Sequence, residues 1–472
     1  MHNLNSAIKS SLKKYNDFSS RTSRSDFWIF ALFIFICSSI IIIFEIILLN
    51  FVYDFNGLLL LIFEILIFLP FIAAGTRRLH DINKSGWWQL LLVTIIGTIP
   101  LIFWWFRSGK RKRNKYGVEP KSLKTLRDQF IRYNLRGISK IYNTVPSTNP
   151  LILNFQNRKE LLIDNQIETT GLSSYLMYEN DKVVIDKISP VTRFGDIFNN
   201  NTMLYSMSLG KSLTGYLMAH AIAKGYVNSL DQTLEDWPLT QNTLLNKLKI
   251  KEVINATMGD QEYFTGNNEI FKTSGRFPGD LDIASITSKE LLGSKCSEKR
   301  YFYGQFSSNV ALNYISFKTG NKFIHFLNDV MQKYVKLEGS LKFIHTGNDE
   351  KLGIIQSNFK ATRYDILRIG IAILNDWRTE NDVGKILKKI YFNKIKKNNF
   401  NFDRFEGHSN SYAGFFHSDY PNMKTTVTGM HGTGGIALLI NFEDNRIVYA
   451  HSVYRDYNYN KIVLNPIRNG KF

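Results

Sequence analysis

The chain has 472 residues, with 59 Lys and Arg against 40 Asp and Glu, for a formal net charge of +19. That length holds two or three domains. More than half of the basic excess lies before residue 150, beside apolar runs, and neither a zinc-ligand spacing nor a nucleic-acid fold signature accompanies it. This points to anionic lipid headgroups and away from nucleic acid as a partner. Cys37 sits in an apolar run and Cys296 in a polar one, so a disulfide between them is not expected and the redox compartment is not identified.

Three apolar runs open the chain: 27–52, 57–75 and 87–106. About 20 helical residues cross the roughly 30 Å hydrocarbon layer, so the runs predict three membrane spans. Trp87, Trp88, Trp104 and Trp105 bracket the third as an interfacial aromatic belt would. The first run is too long for a cleaved signal peptide. Glu45 and Glu64 lie within the runs, where a carboxyl is expected to be protonated or paired between helices. "RRLHD" (77–81) reads as a basic loop at the cytoplasmic end of a span. The expected division is a membrane domain over 1–118, a basic juxtamembrane connector over 119–150 and a second domain over 151–472.

"SSRTSRSDFW" (19–28), "RRLHDINKSGWW" (77–88) and "RNKYG" (113–117) carry a family resemblance. In order and spacing they resemble the signatures of a small bacterial membrane family, the domain of unknown function 805, over roughly residues 10–118. The resemblance implies a membrane domain and supplies no reaction.

From about residue 150 the pattern changes. "SSYLMYENDKVVIDKIS" (173–189) and "GIALLINFEDNRIVYAHSVY" (435–454) each place two apolar runs around a short polar turn, a hairpin signal. Helical periodicity lies between them. Strands at both ends with helices between predict an α/β domain, its antiparallel sheet closed by sequence-distant strands beside a helical region.

The helix expected from "SLTGYLMAHAIAKGYV" is opened by Ser208 and Lys211, three apart and hence on one face. Backbone N–H groups at a helix start lack partners and favour an oxyanion. An apolar face would desolvate Lys211, lower its pKa and let it accept the serine proton. The bare spacing occurs five times: Ser6/Lys9, Ser10/Lys13, Ser11/Lys14, Ser208/Lys211 and Ser357/Lys360. The first three lie in the basic tail and Ser357 in a polar stretch. Only Ser208 opens an apolar helix that ends at a glycine.

"YSMSLGKSLTGYLMAHAIAKGYVNSLDQTLEDW" resembles the nucleophile helix of the serine β-lactamase-related superfamily, which includes class C β-lactamases, D-alanyl-D-alanine peptidases, esterases and 6-aminohexanoate-oligomer hydrolases. "IKEVINATMGD" (250–260), "YFYGQFSSNVALNYISFKTG" (301–320), "KATRYDILRIGIAILND" (360–376), "SYAGFF" (411–416) and "GMHGTGGIALLINFEDNRIVYA" (429–450) resemble later landmarks of the family in family order. The resemblance implies a β-lactamase/transpeptidase-like fold with Ser208 as nucleophile and Lys211 as base. It implies that Tyr303 relays the proton to the leaving group, with Tyr301 as the fallback. It places Gln305 where the family has Asn or Ser, and implies substrate-binding roles for Gln305, His431 and Gly434. Gly434 or a neighbour would complete the oxyanion hole. His431 stands where β-lactamases carry lysine, which disfavours a dedicated β-lactamase. Asp260 and Tyr263 occupy the place of a substrate wall in oligomer hydrolases.

The expectation is a membrane-tethered serine hydrolase of small amides or esters, working through an acyl-enzyme. Its partners are a small-molecule or peptide substrate and a lipid bilayer, with no cofactor and no metal. The alternative is a binding protein that senses a peptide or β-lactam and signals through the membrane domain. The resemblance to the domain of unknown function 805 implies a bacterial inner membrane, and positively charged flanks with a third span place the hydrolase outside, or in the cytoplasm if 87–106 re-enters through Gly97 and Pro100. The oligomeric state is not legible.

Overall fold

The computed structural model describes residues 2–49, 57–109, 114–116, 123–134, 140–260, 263, 283–289, 291–345, 355–397 and 409–472. The chain divides into two compact units: residues 1–129 with 190–195, and residues 130–189 with 196–472.

In the first unit, two helices are long and apolar enough to cross a membrane, within Arg24–Leu49 and Leu58–Asp81. Their contact is sealed by an aromatic cluster that includes Phe27, Phe30, Phe71 and Trp105. Glu45 is buried and accepts from the backbone N–H groups of Leu59 and Leu60 at 2.7 and 3.3 Å. It thereby caps the next helix, where a carboxylate also meets the positive end of the helix dipole. Glu64, by contrast, is exposed among apolar side chains.

Two expectations change here. The third apolar run is not one helix. It splits into a 3-10 helix, Gly86–Val93, and an α-helix, Ile95–Phe106, with Thr94 extended between them (φ −118°, ψ 138°). Ser85 and Thr94 each cap the segment that follows, accepting from Trp87 N–H at 3.4 Å and Gly97 N–H at 3.1 Å. "RRLHD" is not a loop. It forms the buried last turns of the Leu58–Asp81 helix. Burial is tolerated because the charges are matched: Asp81 accepts from Arg21 Nη2 and Arg78 Nη1, each at 2.8 Å. Arg78 Nε donates to the Trp105 carbonyl at 3.0 Å, and Arg77 donates to the carbonyls of Lys14 and Asp17. His80 Nδ1 lies 3.1 Å from the Ser20 carbonyl, and its ring stacks on Tyr116 at 3.6 Å.

The second unit holds two antiparallel sheets. The larger has eight strands in the order β3-β2-β12-β11-β10-β9-β8-β7. These are β2 Leu172–Glu179, β3 Lys182–Ile188, β7 Ile395–Lys396, β8 Ser411–Ala413, β9 Phe416–Ser418, β10 Val427–Gly432, β11 Ile436–Asn441 and β12 Arg446–Ser452. Both expected hairpins form. Asn180 and Asp181 take φ +50° and +62° at the β2–β3 turn, and Asn445 takes φ +48° at the β11–β12 turn. β2 pairs with β12, from Glu179 opposite Arg446 to Leu172 opposite Ser452, so the ends of the domain close the sheet. One face is covered by the Leu161–Thr169 helix and the C-terminal segment in a core around Tyr175, Met177, Val448 and Ile462. The Arg363–Thr379 helix packs at Leu438 and Ile447, where Gly370 lets it approach.

The smaller sheet has the order β1-β5-β6-β4, with β1 Lys140–Asn143, β4 Leu204–Tyr205, β5 Lys342–His345 and β6 Ile355–Ala361. Within the expected connector over 119–150, the described residues include the Leu123–Asn134 helix and β1.

Candidate active site

β4 delivers the chain from the small sheet into the helix Leu209–Ala223. The junction is fixed to β6: Ser206 N–H donates to the Phe359 carbonyl at 2.8 Å, and Phe359 N–H donates to Ser206 Oγ at 2.9 Å. Met207 takes φ +49°, a left-handed conformation costly for a non-glycine residue. It turns the chain so that Ser208 stands at the N-cap of the helix, half-buried rather than sealed in. Among the described residues the Ser208 N–H has no hydrogen-bond acceptor. Gly210 is required by packing, since a Cβ there would lie 2.1 Å from the Ser357 carbonyl on β6.

Lys211 is 3 % exposed, and its Nζ lies 3.1 Å from Ser208 Oγ. The same Nζ donates a very short hydrogen bond to Gln305 Oε1 and lies 5.1 Å from the centre of the Tyr303 ring. All three partners are neutral. Burial alone therefore acts on the amine and pushes its pKa from 10.5 down to about 7. An amine of that pKa is substantially unprotonated at neutral pH and can take a proton from the serine.

Gln305 immediately precedes the Phe306–Thr319 helix and leaves its side chain free of any capping bond. Its Nε2 donates to Ser357 Oγ at 2.6 Å and more weakly to Asn309 Oδ1 at 3.3 Å. Ser357 Oγ in turn lies 2.9 Å from Ser308 Oγ. Gln305, expected as a substrate-binding residue, holds the lysine through its Oε1. Tyr303 faces Lys211, whereas Tyr301 is buried against Tyr412 at 5.1 Å between ring centres.

His431 lies on β10 opposite Ala437, 6 % exposed, with Nε2 2.6 Å from the Tyr420 hydroxyl. Its ring is 4.7 Å from that of His417, which lies 6.2 Å from the Tyr303 ring. The histidine thus reaches the Ser208–Lys211 group through His417 and Tyr303. Gly434, at φ +92°, faces the Ser452 carbonyl across the β10–β11 turn. It is Gly432 that stands against the nucleophile segment, its Cβ position 3.0 Å from the Ser206 carbonyl. β10 pairs with β9 only at Thr428 and Gly429, so Met430–Gly432 run on beyond that neighbour. Asp260 is buried, which raises its carboxyl to about 7, and Tyr263 N–H donates to the Asp260 carbonyl at 3.0 Å. The chain on either side of Tyr263 lies outside the described residues.

Sequence reasoning missed Ser308, Ser357 and His417. Ser357 heads the fifth Ser-x-x-Lys, but on a strand positions i and i+3 point to opposite faces, so no pair with Lys360 forms. The available signal was the alternation of Ser357, Phe359 and Ala361 toward the interior.

Comparison with known proteins separates the two units. A solved structure from Bacillus anthracis, provisionally named a 6-aminohexanoate-dimer hydrolase, is similar with a TM-score of 0.51 at 14 % identity. It covers 71 % of this chain and 89 % of that one. The second unit thus has the β-lactamase/transpeptidase-like fold expected from the motif order. At the other end, residues 15–118 match the family model described as protein of unknown function DUF805. Inner membrane protein YhaH of Escherichia coli K12 is 36 % identical over 116 residues, covering 23 % of this chain and 92 % of YhaH. Inner membrane protein YhaI of the same strain is 38 % identical over 112 residues, covering 23 % and 91 %. Through this N-terminal segment, the chain belongs to the DUF805 family.

Proposed function

We infer that this chain is a membrane-tethered serine hydrolase of small amides or esters. The observation that carries the reading is Lys211: buried, within hydrogen-bond reach of Ser208 Oγ, and with neutral partners only among the described residues. In the proposed reaction Ser208 Oγ attacks a substrate carbonyl while Lys211 accepts its proton. The developing oxyanion lies against the Ser208 N–H, with a second donor from the Gly432–Gly434 stretch. The Tyr303 hydroxyl protonates the leaving group, and water hydrolyses the acyl-enzyme. His431 and the free end of β10 line the substrate side, and its imidazole offers no fixed positive charge for a β-lactam carboxylate.

The two membrane-length helices and the names of the DUF805 relatives support an inner-membrane location. The side depends on residues 86–106. If they cross, the hydrolase faces outside; if they re-enter, it faces the cytoplasm. A C-terminal reporter active in one compartment reads the answer.

The direct test is fluorophosphonate labelling of the full chain in membranes, followed by turnover of a neutral p-nitrophenyl ester. Ser208→Ala should abolish both. Labelling that survives the substitution sinks the assignment, and Ser208-dependent labelling without turnover supports the sensing protein instead.

A further inference from the structure

Gln305 makes an unusual contact for a buried lysine. Its side-chain amide can present either an acceptor or a donor to Lys211 Nζ, and the two have opposite chemical consequences. An oxygen accepts one amine N–H and leaves the nitrogen lone pair for the Ser208 proton. An NH2 group would donate into that lone pair and occupy it.

The surroundings fix the choice. Ser308 Oγ donates its hydrogen to the Gln305 backbone carbonyl at 2.9 Å. With that hydrogen committed, the 2.9 Å contact to Ser357 requires Ser357 to donate and Ser308 to accept. Ser357 Oγ then has lone pairs only for Gln305 Nε2, at 2.6 Å. The second neighbour gives the same polarity. Asn309 Oδ1 accepts the Ser357 N–H at 3.1 Å, so it is an oxygen, and it faces Gln305 Nε2 at 3.3 Å. A flipped amide would set oxygen against oxygen. Ser357 and Ser308 are fully buried, so water does not compete for these bonds.

We propose that Ser357 is a positioning residue for Lys211: with Ser308 it closes a one-way hydrogen-bond circuit that holds the Gln305 amide with its oxygen, never its NH2, toward the lysine. This deepens the acyl-enzyme reading above and rests on it. Ser357 touches neither Ser208 nor substrate in this role. It acts by keeping the base's lone pair open.

The test is the pH dependence of the fluorophosphonate labelling rate at Ser208 in the full chain. The unsubstituted protein should gain rate as the lysine deprotonates, with a midpoint at about 7. In Ser357→Ala the Gln305 NH2 loses its shortest acceptor, only the longer contact to Asn309 Oδ1 at 3.3 Å still opposes a turn, and the amide can flip. An NH2 group beside the amine disfavours its charged form, so the midpoint should move to lower pH while the plateau falls about tenfold. A purely structural loss would lower the plateau and leave the midpoint in place. Ser308→Ala breaks the same circuit, should shift the midpoint the same way, and carries the test if Ser357→Ala does not fold. Gln305→Glu has no amide to flip, so its midpoint should lie above the unsubstituted one, and adding Ser357→Ala should move it far less. The proposal is overturned if neither serine variant shifts the midpoint, or if the shift is as large in the Gln305→Glu background. Labelling that persists in Ser208→Ala would overturn the hydrolase reading, and that result is separate from either.

Discussion

Both units bury cations, and they do so in opposite ways. In the first, Arg21 and Arg78 converge on the carboxylate of Asp81, and each guanidinium also donates to a backbone carbonyl. In the second, Lys211 is buried among a serine, a glutamine and a tyrosine ring, with no carboxylate against it among the described residues. A buried charge that is paired stays charged and fixes a structure. A buried amine that is not paired can only relieve its desolvation by giving up its proton, which makes it a base. On the proposed reading the contrast separates two roles: the motif that marks the first unit's family holds a fold together, and the quieter pair in the second carries the reaction.

The largest expected effect comes from forcing the second site to behave like the first. Lys211→Arg keeps a cation that cannot deprotonate in a pocket with no counter-charge among the described residues. Labelling of Ser208 should fall by about 10^3-fold, as far as in Lys211→Ala, which removes the base outright. If arginine kept most of the rate, Lys211 would be an electrostatic group and the contrast would fail.

The converse change strips the first site of its anion. Asp81→Asn leaves two buried guanidiniums without a compensating charge, at a cost of about 3–5 kcal/mol. The expected outcome is a lowered thermal midpoint of the full chain in detergent and a reduced yield in membranes. An unchanged midpoint would show that the backbone carbonyls suffice and that the carboxylate is dispensable.

How far each site was legible follows from the range of its interactions. Ser208 and Lys211 are three apart on one helix, and both the spacing and the apolar face are local, so the sequence exposes them. The hairpin turns at Asn180–Asp181 and Asn445 are local as well. The Arg21–Arg78–Asp81 clasp is not legible in sequence, because "RRLHD" has the composition of a basic loop and its partner lies far away: Asp81 meets Arg21 across 60 positions. The break within 87–106 is not legible in hydropathy, which counts apolar residues, because it depends on two caps, Ser85 and Thr94. Ser357 was set aside for polarity, although a polar residue on the inner side of a strand is placed there by the sheet.

The smallest effect tests the cost of the unpaired lysine. Lys211 has a pKa of about 7 in the folded chain, below its ordinary 10.5. Between those values the unfolded chain holds a proton that the folded chain does not, so the stability of the unsubstituted protein rises with pH across that window. Below about pH 7 both states are protonated, and the full burial penalty is present. Lys211→Met removes the amine and with it this pH dependence. The substitution also deprives Gln305 Oε1 of its donor, a cost that pH does not change. The sign of the difference between the two proteins is therefore set by two opposing terms, while its slope is set by one. The advantage of methionine over lysine should be greatest at pH 6.5 and should decline through pH 8 to 9.5, by up to about 1.4 kcal/mol per pH unit. Thermal midpoints of both proteins at the three pH values measure it. A gap that stays constant would mean that Lys211 is not desolvated in the folded chain, and the base would have to be sought elsewhere. A gap that closes as pH rises would show that the site keeps an amine at the expense of stability, as a reactive group requires and a structural clasp does not.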